Sequence, residues 1–129
     1  MKIKLINQIS TNNFTDDKLM EKIQHLWKQA YQNIDDKKIL YGVYHNYESN
    51  YKGDYSLAVG IEDPNKSDVQ INEHADYQVF PVDAKDEAGI MKTWQHIWNL
   101  EESGELKRAY TVDFEKYYPD GTIEIHIAI

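Results

Sequence analysis

The chain has 129 residues, 41% apolar and 28% charged, which is the size and composition of one globular domain with its own core rather than of a disordered segment. A formal net charge of −8 repels a phosphate backbone and argues against direct nucleic-acid binding. The absence of cysteine excludes disulfides and thiolate metal sites, and no apolar run approaches the length of a membrane span.

The first residues lack the apolar stretch of a secretion signal, so the cytoplasm is the expected location, and the sequon form of Asn13-Phe14-Thr15 carries no weight there. Residues 3–9 read instead as a strand. Leu19, Met20, Ile23, Leu26, Trp27, Ala30 and Tyr31 then recur at steps of three and four, which makes one apolar stripe on a helix. Thr15 or Asp16 is placed to cap its start with a side-chain oxygen. Two strand-like runs follow, over 39–47 and 55–61, joined across Asn50-Tyr51-Lys52-Gly53-Asp54. A polar loop over 63–68 comes next.

The second part of the chain repeats this order. Residues 77–82 read as a strand, and Ile90, Met91, Trp94, Ile97 and Trp98 mark a helix that Gly104 stops. Strands over 108–117 and 122–129 flank the turn Pro119-Asp120-Gly121. Within the two helices Gln24-His25-Leu26-Trp27 returns as Gln95-His96-Ile97-Trp98, with one Leu–Ile exchange. The expectation is an α+β domain over 1–129 built from a duplicated β-α-β-β unit, about 1–66 and about 67–129. One such unit is too small to cover its own helix and sheet. Two related by a pseudo-twofold join into one antiparallel sheet packed by two helices, with a cleft at the seam.

Ten Tyr and three Trp against three Phe suit half-wet clefts, although Tyr also favours ordinary sheet faces. Along 108–117, alternation puts Tyr110, Val112 and Phe114 on one face and Thr111, Asp113, Glu115 and Tyr117 on the other. By alternation alone that second face is either exposed sheet surface or the floor of a cleft. His25, His45, His74, His96 and His126 show no metal-ligand spacing, and Glu124 with His126 is a poor site of two ligands. No Gly-rich phosphate loop and no nucleophile elbow is present, so neither a cofactor nor a metal is expected.

Tyr41-Gly42-Val43-Tyr44-His45-Asn46-Tyr47-Glu48-Ser49 followed by Gly53-Asp54-Tyr55-Ser56-Leu57 and Gly60 resembles the central hairpin of GyrI-like effector-binding proteins of the stand-alone, integron-associated type. The resemblance continues through Trp94 and Trp98, the run Arg108-Ala109-Tyr110-Thr111-Val112-Asp113-Phe114-Glu115-Lys116-Tyr117 and the closing strand over 123–129. It implies the same β-α-β-β duplication and an aromatic cleft between the repeats with one acidic residue at its floor, which the motif places at Glu115. The family resembles the ligand-binding halves of multidrug-responsive transcription regulators. Those add a helix-turn-helix module; with its first helix expected to start about fifteen residues in, this chain is expected to carry none.

A carboxyl ringed by Tyr and Trp has a raised pKa, and a lipophilic cation supplies both its counter-charge and a partner for the rings. The expected ligand-binding residues are Glu115, Tyr41, Tyr44, Tyr55, Phe80, Trp94, Trp98, Tyr110 and Tyr117. Trp27 and Trp98 hold equivalent places in the repeat, so at least one of them is expected to be structural. The expected function is capture of a lipophilic, cationic small molecule. The alternatives are a GyrI-like hydrolase of electrophilic small molecules with Glu115 as acid or base, and a module for a protein partner or homodimer.

Overall fold

The computed structural model describes residues 1–32, 37–71 and 76–129. Among them are two helices and seven strands in the order β1 (Lys2–Thr11), α1 (Leu19–Tyr31), β2 (Leu40–His45), β3 (Tyr55–Glu62), β4 (Val69–Gln70), β5 (Tyr77–Val82), α2 (Gly89–Glu102), β6 (Asp113–Tyr117) and β7 (Ile123–Ala128). The strands form one sheet in the order β4-β1-β3-β2-β6-β7-β5, with every neighbouring pair antiparallel. Leaving aside the short strand β4 at one edge, the order from either side runs first strand, third strand, second strand of its half, and the halves meet where β2 pairs with β6. The expected α+β architecture, an antiparallel sheet with two helices, is the one observed.

Both helices lie on one face because each half supplies an apolar stripe to its own outer strands. Leu26 and Ala30 of α1 pack on Leu57 and Val59 of β3, together with Ile6 and Ile9 of β1. Trp94 and Ile97 of α2 pack on Phe80, Ile125 and Ile127 of β5 and β7. Residues one step along the same strands face the other way. Ile3, Tyr41, Val43, Ala58 and Phe114 build a second apolar layer there, which Ile71 helps to cover. A register shift between Leu5 and Asn7 reverses the facing of β1, so Leu5 packs with this far layer while Ile9 packs under α1.

Three local expectations need correction. Strand β6 begins at Asp113 and not at 108, because Tyr110 takes a positive φ of 55° and breaks the extended run. Helix α1 begins at Leu19 without a side-chain cap. Asp16 instead accepts the Lys18 amide at 3.0 Å and pairs with Lys22 at 2.5 Å, and these contacts with Thr11 hold its carboxyl down to about 2, the Lys22 bond foremost. The polar loop after β3 is followed by β4, which pairs with Lys2 and Ile3 at the sheet edge and went unread in the sequence. The second turn forms as expected: Gly121 takes φ of 93° and Tyr118 donates to the Thr122 carbonyl at 2.9 Å.

Candidate functional site

Each helix covers the outer strands of its own half, so the seam strands are left between them. Above the seam lies a cavity of about 350 Å³, within the usual range of small-molecule sites. Helix α1 supplies Leu19, Met20, Ile23 and Trp27 to its wall, and α2 supplies Ile90, Met91, Trp94 and Trp98. Tyr44, Tyr55, Leu57, Glu115 and Tyr117 form the sheet side, and Tyr47, Tyr51 and Arg108 close one end. Met20 and Met91 are half exposed, which gives the rim two adaptable apolar side chains.

Glu115 is 3% exposed. Its neighbour across the β2–β6 ladder is Gly42, where a β-carbon would come within 2.9 Å of Glu115 Oε1. The missing side chain is what lets a carboxylate lie flat against the sheet. Oε2 accepts from Trp94 Nε1 at 2.7 Å and from Tyr44 Oη at 2.9 Å, and Oε1 accepts from Tyr117 Oη at 2.7 Å. All three donors are neutral. Burial pushes the Glu115 carboxyl above its ordinary value, and the three hydrogen bonds only partly offset this. Burial, followed by the charge of Glu115, pushes the Tyr44 and Tyr117 phenols well above theirs, so both remain donors at neutral pH.

Rings extend outward from this carboxyl. Tyr44 lies 4.9 Å from Trp94 and 5.6 Å from Tyr55, and Trp27 meets Tyr117 edge-on at 4.9 Å. Tyr51 reaches from the β2–β3 loop to stack on Trp98 at 5.5 Å, and Phe14 lies against both. Aromatic walls of this kind bury flat apolar surface with little side-chain entropy loss.

A second polar group adjoins the first. Arg108, with a side chain 2% exposed, donates to Asp113 at 2.7 Å and to Glu101 at 3.2 Å. Asp113, fully buried, also accepts from Tyr47 Oη at 2.5 Å and from the Ala128 amide at 2.8 Å. Burial works against the charge on Arg108, but the Asp113 carboxylate outweighs it and holds the guanidinium charged. The rings of Tyr110, Trp94 and Tyr47 surround that guanidinium at 4.3, 5.7 and 5.7 Å.

Of the residues expected from sequence, the structure brings Glu115, Tyr44, Tyr55, Trp94, Trp98 and Tyr117 to one cavity. Three others lie outside its wall. Tyr41, three positions before Tyr44 on the same strand, faces the far layer and packs edge-on against Phe114 at 5.8 Å. Phe80 is buried beneath α2, opposite Ile125 in the β5–β7 ladder. Tyr110 sits behind Arg108 and donates to Glu101. Sequence reading missed Tyr47, Tyr51 and Arg108, and it left Trp27 undecided. Tyr47 follows Asn46, whose positive φ of 53° breaks the alternation that would have placed it. Trp27 had a signal in its repeat partner Trp98, whereas Arg108 was marked only as the first residue of the run that carries the resemblance.

No group of three metal-ligating side chains occurs among the described residues. Glu124 and His126 form only a contact of 3.2 Å, and His74 lies outside the described residues. Among the described residues no helix is long and apolar enough to cross a membrane.

Comparison with known proteins gives two further findings. The model of a family described as "Cass2: Integron-associated effector binding protein" matches residues 6–129. The crystal structure of an integron cassette protein from the mobile metagenome of Vibrio cholerae, VCH_CASS2, is similar with a TM-score of 0.71 and 29% identity, over 98% of this chain and 94% of that one. No curated protein matches the sequence.

Proposed function

The chain belongs to the Cass2 family of integron-associated effector binding proteins, and from that premise we propose that it reversibly captures flat, lipophilic cations in the cavity above Glu115. The observation that carries this reading is a buried carboxyl whose three partners are all neutral donors. A carboxylate taken out of water without a counter-charge is costly, and a ligand cation supplies that charge. The faces of Tyr44, Tyr55, Trp94, Trp98 and Tyr117 add stacking and cation–π attraction of about 0.5–2 kcal/mol each where they meet the cation. The net charge of −8 raises the local concentration of cations over anions.

The test compares wild type with Glu115→Gln, a nearly isosteric change, using a cationic dye and an uncharged dye of the same shape. All three tryptophans line the cavity, so their fluorescence reports occupancy. The cation should lose roughly ten- to a hundredfold in affinity, the worth of a charged hydrogen bond, and the neutral dye much less. Equal losses would mean that Glu115 shapes the cavity without reading charge.

A hydrolytic use of the same group is the alternative. A carboxyl with a raised pKa beside two phenols that stay protonated has the equipment of a general acid or base. Turnover of an electrophilic ester by wild type, lost in Glu115→Gln, would favour it over capture.

A further inference from the structure

The face that α2 turns to the cavity runs back through Trp98, Trp94, Met91 and Ile90 at steps of three and four. The same spacing, carried one turn further, reaches Glu87, and this residue also lines the cavity. Met91 is half exposed and Glu87 is exposed, so this end of the stripe forms part of the rim. Glu115, 3% exposed, lies at the floor. The cavity therefore carries two carboxylates at different depths.

The other acids before α2 are engaged locally. Asp86 accepts the Ala88 amide at 2.9 Å and pairs with Lys92 at 2.6 Å, and Asp83 accepts the Lys85 amide at 3.1 Å. Asp16 makes the two contacts of Asp86 before α1, so in both halves one acid serves the start of the helix. Glu87 makes no hydrogen bond or ion pair among the described residues. Being exposed, it meets a ligand group from the solvent side with no more than a change of rotamer.

The two depths suit different cations. The floor takes a flat cation that the rings can cover, as argued for Glu115. The rim stays wet, and there a compact, hydrated ammonium pairs without having to shed its water. Met20 and Met91 offer adaptable apolar surface at the rim to an arm that joins the two centres.

We propose that Glu87 is a second recognition group, which pairs at the rim with an ammonium on a flexible arm of a ligand whose flat cationic head lies over Glu115. This deepens the reading of the site given above and rests on it. It narrows the ligand class from lipophilic cations in general to flat cations that carry a second, aliphatic cation.

Dyes with one flat acridinium head test it on the wild-type protein. Each carries an alkyl arm ending either in trimethylammonium or in tert-butyl, which has the same shape and no charge, and the arms run from short to long. At physiological salt the ammonium dye should bind about threefold more tightly than its tert-butyl twin at the arm length that spans floor to rim, the worth of an ion pair at the edge of solvent. Glu87→Gln, a surface change, should bring that ratio down towards one. Asp17→Asn removes the charge of an exposed acid outside the cavity wall and should leave the ratio as in wild type. The ratio compares two dyes on one protein, so any effect of Glu87 on the stability of α2 drops out. No ammonium advantage at any arm length overturns the proposal and leaves cation capture by Glu115 standing. An advantage that survives Glu87→Gln unchanged, or falls as much in Asp17→Asn, belongs to the net charge and also overturns it. If neither dye of any pair binds, cation capture fails and this inference fails with it.

Discussion

Gly42 stands directly across the β2–β6 ladder from Glu115, and a β-carbon there would lie 2.9 Å from Glu115 Oε1. The strand pairing at the seam of the two halves therefore holds the space for the carboxylate. A residue with no side chain and the acid at the cavity floor act as one unit.

Gly42→Ala should displace the Glu115 carboxylate from Tyr117, because the new methyl also meets Trp27 Cζ2 at 3.5 Å and has little room to shift. Cation affinity should drop about tenfold, since a charged hydrogen bond is worth about 1.5–3 kcal/mol and part of it is lost. Thermal unfolding should show the protein still folded. Unchanged cation affinity would show that the carboxylate's place against the sheet is not what the ligand reads.

Cation binding should weaken as pH falls through the folded-state pKa of Glu115, which burial raises above 4.5. Stability should move the opposite way. A raised folded pKa contributes stability that is present below the unfolded value and lost as pH rises through the folded one. Urea unfolding across this window should show wild type losing stability relative to Glu115→Gln as pH rises. Parallel curves for the two proteins would contradict the raised pKa.

Trp94→Phe keeps a ring in the wall and removes the N–H that donates to Glu115 Oε2. That bond favours the ionised carboxyl, so its loss should lift the Glu115 pKa further. The pH midpoint of cation binding should shift upward relative to wild type. A midpoint that stays in place would mean that the remaining Tyr44 and Tyr117 bonds set the titration by themselves.

Asp113→Asn should destabilise the protein by about 3 kcal/mol, the cost of leaving a buried cation without its main partner. Asp113 takes bonds from Arg108, Tyr47 and the Ala128 amide, and Asn cannot accept all of them with charge. Denaturant midpoints measure this directly. A loss below about 1 kcal/mol would mean that Glu101 alone can hold Arg108.

Local signals were read well where one element sufficed. The stripes containing Trp27 and Trp98 lie on the two helices observed, the run 77–82 coincides with β5, and Gly104 and Gly121 both take positive φ where a stop and a turn were expected. Failures came where a residue leaves its local pattern. Tyr110 reads as a strand residue until its positive φ ends the ladder, and Val69–Gln70 is too short to show periodicity before it pairs with the chain start.

Apart from the short strand β4, the sequence by itself determined the element order, the doubling of that order and, through the motif around Glu115, the acid at the cavity floor. Period-2 and period-3.6 patterns are local, so they survive in the one-dimensional text. It also held enough to separate Tyr41 from Tyr44, since three steps along a strand reverse the facing. Only the tertiary structure decided which aromatics meet. Tyr44, Trp94 and Tyr117 reach Glu115 from β2, α2 and β6, Tyr51 crosses to Trp98, and Arg108 enters the wall from a segment without regular structure. Those contacts depend on how the two halves join at β2 and β6 and on where each helix lies over the sheet. Packing between elements distant in sequence sets both, and no local pattern encodes it.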